Sequence, residues 1–336
     1  MNIKIKKIGK IAIYVICAVV IVIAIVLMSS SILHNTYYKT QLKNIEPYGQ
    51  MVEVENKNMH IYSMGDGEET IVLLPGHGVP LPSADFAPLM RKLSEKYKVV
   101  AVDYFGMGFS DETDKPRNCE NYTNEIREAL RGLDIKPPYI LMPHSISGIY
   151  SEYYATKYPE EVKGMILLDT TSTDFTMEIP ENILKQFEIA KFQQSIGIQR
   201  LVLSLISDET LKASGLGLTI ENGYTEKEIT DYKKYMCYSI NDTIIEQFKY
   251  TMDCVKEVKQ LTFPENIPVL KIISRETVES NDLNPYIGSE DYQKDHLSRL
   301  GDYATSVTLK GSHFIYHSQI QKISDLTDEF ISNLEQ

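Results

Sequence analysis

The sequence predicts an α/β fold: a mostly parallel central sheet flanked by helices, with an inserted helical cap and one N-terminal transmembrane helix. Three observations lead there. Short β-branched runs alternate with helical stretches over residues 51–169, the rhythm of a sheet wound on both faces. That rhythm stops over residues 175–262, where helical patterns follow one another, and it resumes at Val269. Ahead of both lies a run of eighteen residues without a charge, glycine or proline.

Composition bounds the function. The 336 residues carry 34 Lys+Arg against 46 Asp+Glu, a net charge of −12, and are 43% hydrophobic, which is globular rather than disordered. The acidic balance excludes the basic face of a nucleic-acid binder. With no Trp, a sugar-stacking platform built on indoles is excluded too.

The N-terminus is a basic stub, residues 1–10, holding Lys4, Lys6, Lys7 and Lys10 and no acid. Ile11–Met28 follows uncharged, and Ser29–Leu33 extends the run. Eighteen residues make about 27 Å of helix, and residues 11–33 together reach the thickness of a bilayer core. The flanking lysines put the N-terminal end in the cytoplasm. The run exceeds the roughly 7–15 apolar residues of a cleaved signal peptide, and beyond Ser29–Ser31 no small-x-small site follows it. An uncleaved signal anchor is expected: a single pass contacting the bilayer through residues 11–33, with the rest of the chain outside. Cleavage of the anchor would make the protein secreted. Setting the stub aside leaves 30 basic against 46 acidic residues, so the body is more acidic than the total implies. Cys17 lies inside the run, and Cys119, Cys237 and Cys254 show no C-x-x-C spacing. Neither a disulfide framework nor a thiolate metal site is signalled.

Residues 34–50, polar and Tyr-rich and ending at Pro47 and Gly49, read as a tether. Val52–Val54 and Met59–Tyr62 read as antiparallel strands about an Asn56-Lys57-Asn58 turn. Thr70–Leu74 is a buried strand, Pro88–Lys96 an amphipathic helix and Val99–Val102 the next strand. Glu120–Leu133 is a helix, Tyr139–Met142 a strand, Ile149–Tyr158 a helix and Gly164–Leu168 a central parallel strand. Residues 170–267 are the cap, with helices over Glu181–Lys191 and Glu226–Met236. Strands return at Val269–Ile273 and Ser306–Leu309, and a last helix runs Ile320–Leu334, so residues 51–169 and 268–336 form the core.

The most informative segment is Ile140-Leu141-Met142-Pro143-His144-Ser145-Ile146-Ser147-Gly148, a buried strand running directly into a helix with Ser145 at the turn. Such a turn strains the backbone of its central residue and lifts the hydroxyl clear of the sheet edge. The segment resembles the nucleophile elbow of the α/β-hydrolase superfamily, G-x-S-x-G, with Pro143 and Ser147 in place of the two glycines and Gly148 next. Leu73-Leu74-Pro75-Gly76-His77-Gly78 looks like the same superfamily's H-G-x oxyanion loop. Val102-Asp103-Tyr104-Phe105-Gly106-Met107-Gly108-Phe109-Ser110 matches its D-x-x-G-x-G-x-S turn, a structural loop. It is not a dinucleotide fingerprint, because no third glycine follows at the required spacing.

By that resemblance Ser145 is the nucleophile, and the backbone amides of His77 and Ile146 form the oxyanion hole. Leu309-Lys310-Gly311-Ser312-His313 supplies a strand, a glycine turn and the general base, His313. The acid stays open. In many members an Asp follows the strand after the cap, but Thr277 holds that position here, flanked by Glu276 and Glu279. Asp169, ending the Met165–Leu168 strand, is the preferred carboxylate, with Glu279 or Glu276 as the alternative; its task is to set the imidazole tautomer, so position matters more than chain order. His317 stands four residues after His313 without an H-E-x-x-H or a nearby carboxylate ligand, so no metal is expected. His34, His60 and His296 read as surface or structural.

The resemblance covers about residues 50–336 and implies a serine hydrolase that cleaves an ester or amide through an acyl-enzyme, with no cofactor. A carboxylesterase or lipase-like enzyme on a small apolar or amphipathic substrate is the first expectation, since a cap encloses such molecules. A proline-iminopeptidase-type aminopeptidase is the second. A catalytically inactive, membrane-anchored binding protein on the same fold is the alternative of another class. Nucleic acid is not an expected partner, and nothing in the sequence sets an oligomeric state.

Overall fold

The structure, a computed structural model, describes residues 2–175, 181–206, 217–279 and 290–334. Helix α1 (Asn2–Leu33) passes without a break through a π-helical turn, His34–Tyr38, into α2 (Lys39–Lys43). It is long and apolar enough to cross a membrane, and the protein buries none of its apolar stretch. Residues 34–43 are therefore helical, where the polar composition reads as a tether. A helix that is already nucleated extends one hydrogen bond at a time, so weak helix formers such as Asn35 and Thr36 are carried along.

An eight-stranded sheet follows, built from β1 (Gln50–Val54), β2 (Lys57–Met64), β3 (Thr70–Leu74), β4 (Lys98–Asp103), β5 (Tyr139–Pro143), β6 (Val162–Leu168), β7 (Val269–Ser274) and β8 (Ala304–Leu309). Its spatial order is β1-β2-β4-β3-β5-β6-β7-β8. The β1–β2 and β2–β4 pairs are antiparallel and the others parallel. The β1–β2 turn is the pair Glu55 and Asn56, both at positive φ, with Val54 opposite Lys57. It thus closes one residue earlier than the sequence pattern indicates.

The parallel strands read as unbroken apolar runs because both faces are covered. On one face Val72, Val100, Leu141, Met165 and Val269 pack under α5 (Cys119–Gly132) and α6 (Ser147–Lys157). On the other, Ile71, Leu73, Ile140, Met142 and Ile166 pack against Leu89 and Met90 of α4 (Ala87–Leu93), which follows the short α3 (Pro82–Asp85), and Phe330 of the Ile320–Leu334 helix. The chain winds from β3 outward to β4, then back past β3 to β5. That reversal opens a crevice at the carboxyl ends of β3 and β5, the position where open α/β sheets bind ligands.

Between β6 and β7 the described chain is helical: α7 (Glu181–Ser195), α8 (Ile198–Leu205), α9 (Glu226–Met236) and α10 (Asp242–Lys259). Residues 176–180 and 207–216 of the expected cap lie outside the described residues. Helix α9 starts on a Thr225–Glu228 capping box and α10 on the Asn241 side chain. The segment is tied to the loops at the carboxyl ends of the strands. Asn241 Nδ2 donates to the Gly106 carbonyl at 2.8 Å, and Thr243 Oγ1 donates to the Thr113 carbonyl at 2.8 Å.

Candidate active site

Ser145 occupies the turn from β5 into α6 with φ of 56°, in the left-handed region. Two ladders pin it there. The amide of His144 donates to the Leu74 carbonyl at 2.9 Å, and that of Ser145 to the Leu168 carbonyl at 3.3 Å, so β3 and β6 hold the turn from both sides. A non-glycine residue costs free energy in this region, and the flanking hydrogen bonds over-determine the conformation. Space at the turn is scarce. A Cβ on Gly76 would lie 3.0 Å from the Ser145 Cβ, and one on Gly148 would lie 2.5 Å from the Thr170 Cβ. Gly148 therefore provides the close helix approach, one position after the usual elbow glycine. Ser147, which holds that usual position, is buried; its hydroxyl donates to the Pro75 carbonyl and lies 3.0 Å from the Tyr104 hydroxyl.

His313 follows β8 and reaches over the turn. Its Nε2 is 3.0 Å from Ser145 Oγ, and its Nδ1 is 2.7 Å from Asp169 Oδ2. Asp169 lies directly after β6 with φ of 45°, its amide donating to the Ile272 carbonyl at 2.8 Å. Its carboxylate is buried, and two further donors fix both oxygens: the Ser274 amide to Oδ1 at 2.7 Å and Thr277 Oγ1 to Oδ2 at 2.6 Å. Nδ1 of His313 thus faces the Asp169 carboxylate and Nε2 faces the Ser145 hydroxyl.

The alternative carboxylates stand apart from this line. Glu276 and Glu279 lie on a short helix, Arg275–Glu279, where Glu279 is exposed and 3.7 Å from Arg275. Thr277, between them, is the residue that meets Asp169. Position and chain order part ways here: the strand end after β6 supplies the carboxylate, and the strand end after β7 supplies donors to it.

The amides of His77 and Ile146 donate to no protein acceptor among the described residues. Ile146 directly precedes α6, so its N–H belongs to the open end of that helix. The His77 side chain lies between α6 and α10, with Nε2 3.1 Å from the Tyr150 hydroxyl and the ring 4.6 Å from that of Phe248. Burial pushes its pKa down to about 3.

One residue gives no signal in the sequence beyond its neighbour. His144 is buried, its Nε2 3.0 Å from the His313 carbonyl and its ring 4.6 Å from that of His313. Burial, then the adjacent His313, holds its pKa well below the usual imidazole range, so it stays neutral and donates through Nε2–H. The remaining histidines are buried. His317 meets Asp85 at 3.0 Å, His60 meets Asp103 at 2.9 Å, and His296 meets Glu152 at 2.8 Å with Lys271 Nζ on its other nitrogen. Asp103 also gathers the Ser83 and Phe109 amides, which makes the Gly106–Gly108 loop a structural corner. Among the described residues no cluster of three or more His, Cys, Asp or Glu is arranged to hold a metal ion.

A family profile described as the α/β-hydrolase fold matches residues 70–208, from β3 through α8. The sheet order and the strand-to-helix turn at Ser145 agree with that profile: the chain has the α/β-hydrolase fold. YbdG of Bacillus subtilis (strain 168), an uncharacterized protein, is 28% identical to this chain over 331 residues, 97% of this chain and 98% of that one. The pimeloyl-(acyl-carrier protein) methyl ester esterase of Shewanella woodyi is 31% identical over 166 residues, 47% of this chain and 60% of that enzyme, so the match spans less than two thirds of it. A laboratory-evolved variant of potato epoxide hydrolase superposes with a TM-score of 0.62 at 17% identity, covering 84% of this chain and 98% of that one, a likeness of fold.

Proposed function

We propose that this chain is a membrane-anchored serine hydrolase of the α/β-hydrolase superfamily that cleaves esters of small apolar or amphipathic acids through an acyl-enzyme. The observation that carries the reading is the continuous hydrogen-bonded line Ser145–His313–Asp169, with the His77 and Ile146 amides unpaired among the described residues. Ser145 Oγ gives its proton to His313 Nε2 and attacks the carbonyl carbon, and the oxygen, now anionic, takes the N–H groups of His77 and Ile146. Asp169 holds the imidazolium through Nδ1–H. His313 then returns the proton to the departing alkoxide, and water repeats the sequence on the acyl ester.

Serine chemistry separates this reading from the epoxide hydrolases among the chain's relatives. Attack of a hydroxyl on an epoxide leaves an ether on the enzyme, which an activated water cannot cleave, whereas attack on a carbonyl leaves a hydrolysable ester. The side chains meeting His77 are Tyr150, Phe248 and Thr251, with Phe187 behind Phe248. With no carboxylate among these contacts, they favour an acyl chain over the α-ammonium of an aminopeptidase substrate. Residues 170–267, which carry α7 to α10, act as the cap in this reading, and residues 11–33 as the anchor, with the body outside the cytoplasm.

A fluorophosphonate probe applied to the full chain in detergent is expected to label Ser145, with labelling lost in Ser145→Ala. Turnover of a p-nitrophenyl ester panel should exceed that of aminoacyl amides. Folded protein that takes no label and turns over neither class would instead support the inactive binding protein.

A further inference from the structure

The end of α1 is not free of the body. Asn35 Nδ2 donates to the Ser195 carbonyl at 2.8 Å, Ser30 Oγ to the Gly197 carbonyl at 3.3 Å, and Arg200 Nη2 to Ser30 Oγ at 3.0 Å. Gly197 joins α7 to α8 with φ of 74°, and a Cβ there would stand 2.8 Å from Ser30 Oγ. The α7–α8 corner is therefore seated directly on α1. A little further along, Tyr238 stacks on His34 at 4.2 Å and donates to its carbonyl at 2.8 Å.

These contacts set a depth. Ser30 is about 3 Å of helix beyond Met28, the end of the apolar run, and Asn35 about 10 Å beyond it. In a bilayer spanned by α1, that interval is the headgroup band and the upper acyl boundary, where interfacial helices bed about 5–10 Å deep. At this depth α7 exposes Ile189 and Phe192, one turn apart, and α8 exposes Val202 and Leu205, again one turn apart; Leu205 is 87% exposed. The patch continues the apolar surface of α1, where Ile32 and Leu33 are exposed beside it. Arg200 lies over the Tyr38 ring at 4.2 Å beside its bond to Ser30, a cation at the depth of the lipid phosphates.

We infer that the Ile189–Phe192 and Val202–Leu205 faces of α7 and α8 lie in the same bilayer leaflet that α1 leaves, a second, interfacial contact between the cap and the membrane. The inference rests on α1 being a membrane anchor. It makes α7 a partition: its outer face meets lipid, while Phe187 on the same helix packs, tilted, 4.4 Å from Phe248, which covers His77.

The absence of Trp from the chain makes the test direct. Single variants Phe192→Trp, Leu205→Trp, Val19→Trp and Tyr303→Trp of the full chain are reconstituted in phosphatidylcholine vesicles carrying bromines either high on the acyl chains or near their ends. Val19 reports the anchor, and Tyr303, exposed beside β8, reports solvent. Circular dichroism checks that each variant is folded. Phe192→Trp and Leu205→Trp are expected to emit to the blue of Tyr303→Trp and to lose most of their emission to the shallow bromines, less to the deep ones. If both behave as Tyr303→Trp while Val19→Trp is quenched, the helix spans but the cap stands clear of the leaflet, and the inference fails alone. Blue-shifted emission that no bromine quenches assigns the patch to a second copy of the chain and also overturns it. An unquenched Val19→Trp overturns the anchor reading itself.

Discussion

At the scale of single residues, the decisive placement is that of Asp169. The sequence names it and two glutamates as rivals because a linear pattern counts positions after strands, whereas the imidazole responds only to distance. Adjacent strands β6 and β7 end side by side, so a carboxylate on either reaches the same point, and Ser274 and Thr277 on the second strand's exit turn both of its oxygens. Asp169→Asn is expected to lower kcat by about 10⁴-fold, because the amide no longer selects the tautomer with Nε2 open. Glu279→Gln, at an exposed position, should leave kcat within about twofold of the parent. Thr277→Val removes one donor to the oxygen that also faces His313; kcat should fall about threefold to tenfold with KM unchanged, the size of one lost hydrogen bond. Steady-state kinetics on one ester measures all three. Full activity in Asp169→Asn together with loss in Glu279→Gln would reverse the assignment.

At the scale of elements, the strands were legible and the junctions were not. Continuous apolar runs such as Ile71–Leu74 and Met165–Leu168 read correctly as buried parallel strands, since burial on both faces leaves no polar alternation to confuse. Residues 34–43 misled because composition speaks for local propensity, while their helix is inherited from α1 and held by tertiary bonds to Ser195 and Tyr238. The elbow is the informative middle case: its two altered glycines weaken the pattern, yet the structure meets the same steric demands with Ser147 and Gly148. Helix α6 approaches Thr170 so closely at Gly148 that Gly148→Ala should destabilise the protein by about 1–3 kcal/mol, as overpacking does, and lower kcat by displacing the Ser145 turn. Thermal unfolding and kinetics of the single variant and of Gly148→Ala/Thr170→Gly form the check. Recovery in the double variant is expected, because the blocking atom is the Thr170 Cβ; equal losses in both would place the cause elsewhere.

At the scale of the whole molecule, two buried histidines are held neutral in the folded chain, and this couples stability to pH. His144 is fully buried between the elbow and His313, and its pKa in the folded chain lies well below that of an unfolded histidine, chiefly through burial. His296, buried beside Lys271, is shifted the same way. A group whose folded pKa is depressed contributes its stability above the unfolded value and loses it as pH falls. Below about pH 6.5 the unfolded chain takes up a proton at each such histidine that the folded chain refuses, so each costs about 1.4 kcal/mol per pH unit until its folded pKa is reached. Urea unfolding of the full chain in detergent between about pH 6.5 and pH 5 should therefore show stability falling steeply with acid. His144→Gln keeps an N–H donor for the His313 carbonyl but does not titrate, so its slope should be shallower by about 1.4 kcal/mol per pH unit. An unchanged slope would mean that His144 is charged in the folded protein, and the neutral donor beneath His313 would have to be abandoned; a changed slope with normal kinetics would assign His144 to holding the His313 loop in place rather than to the proton path.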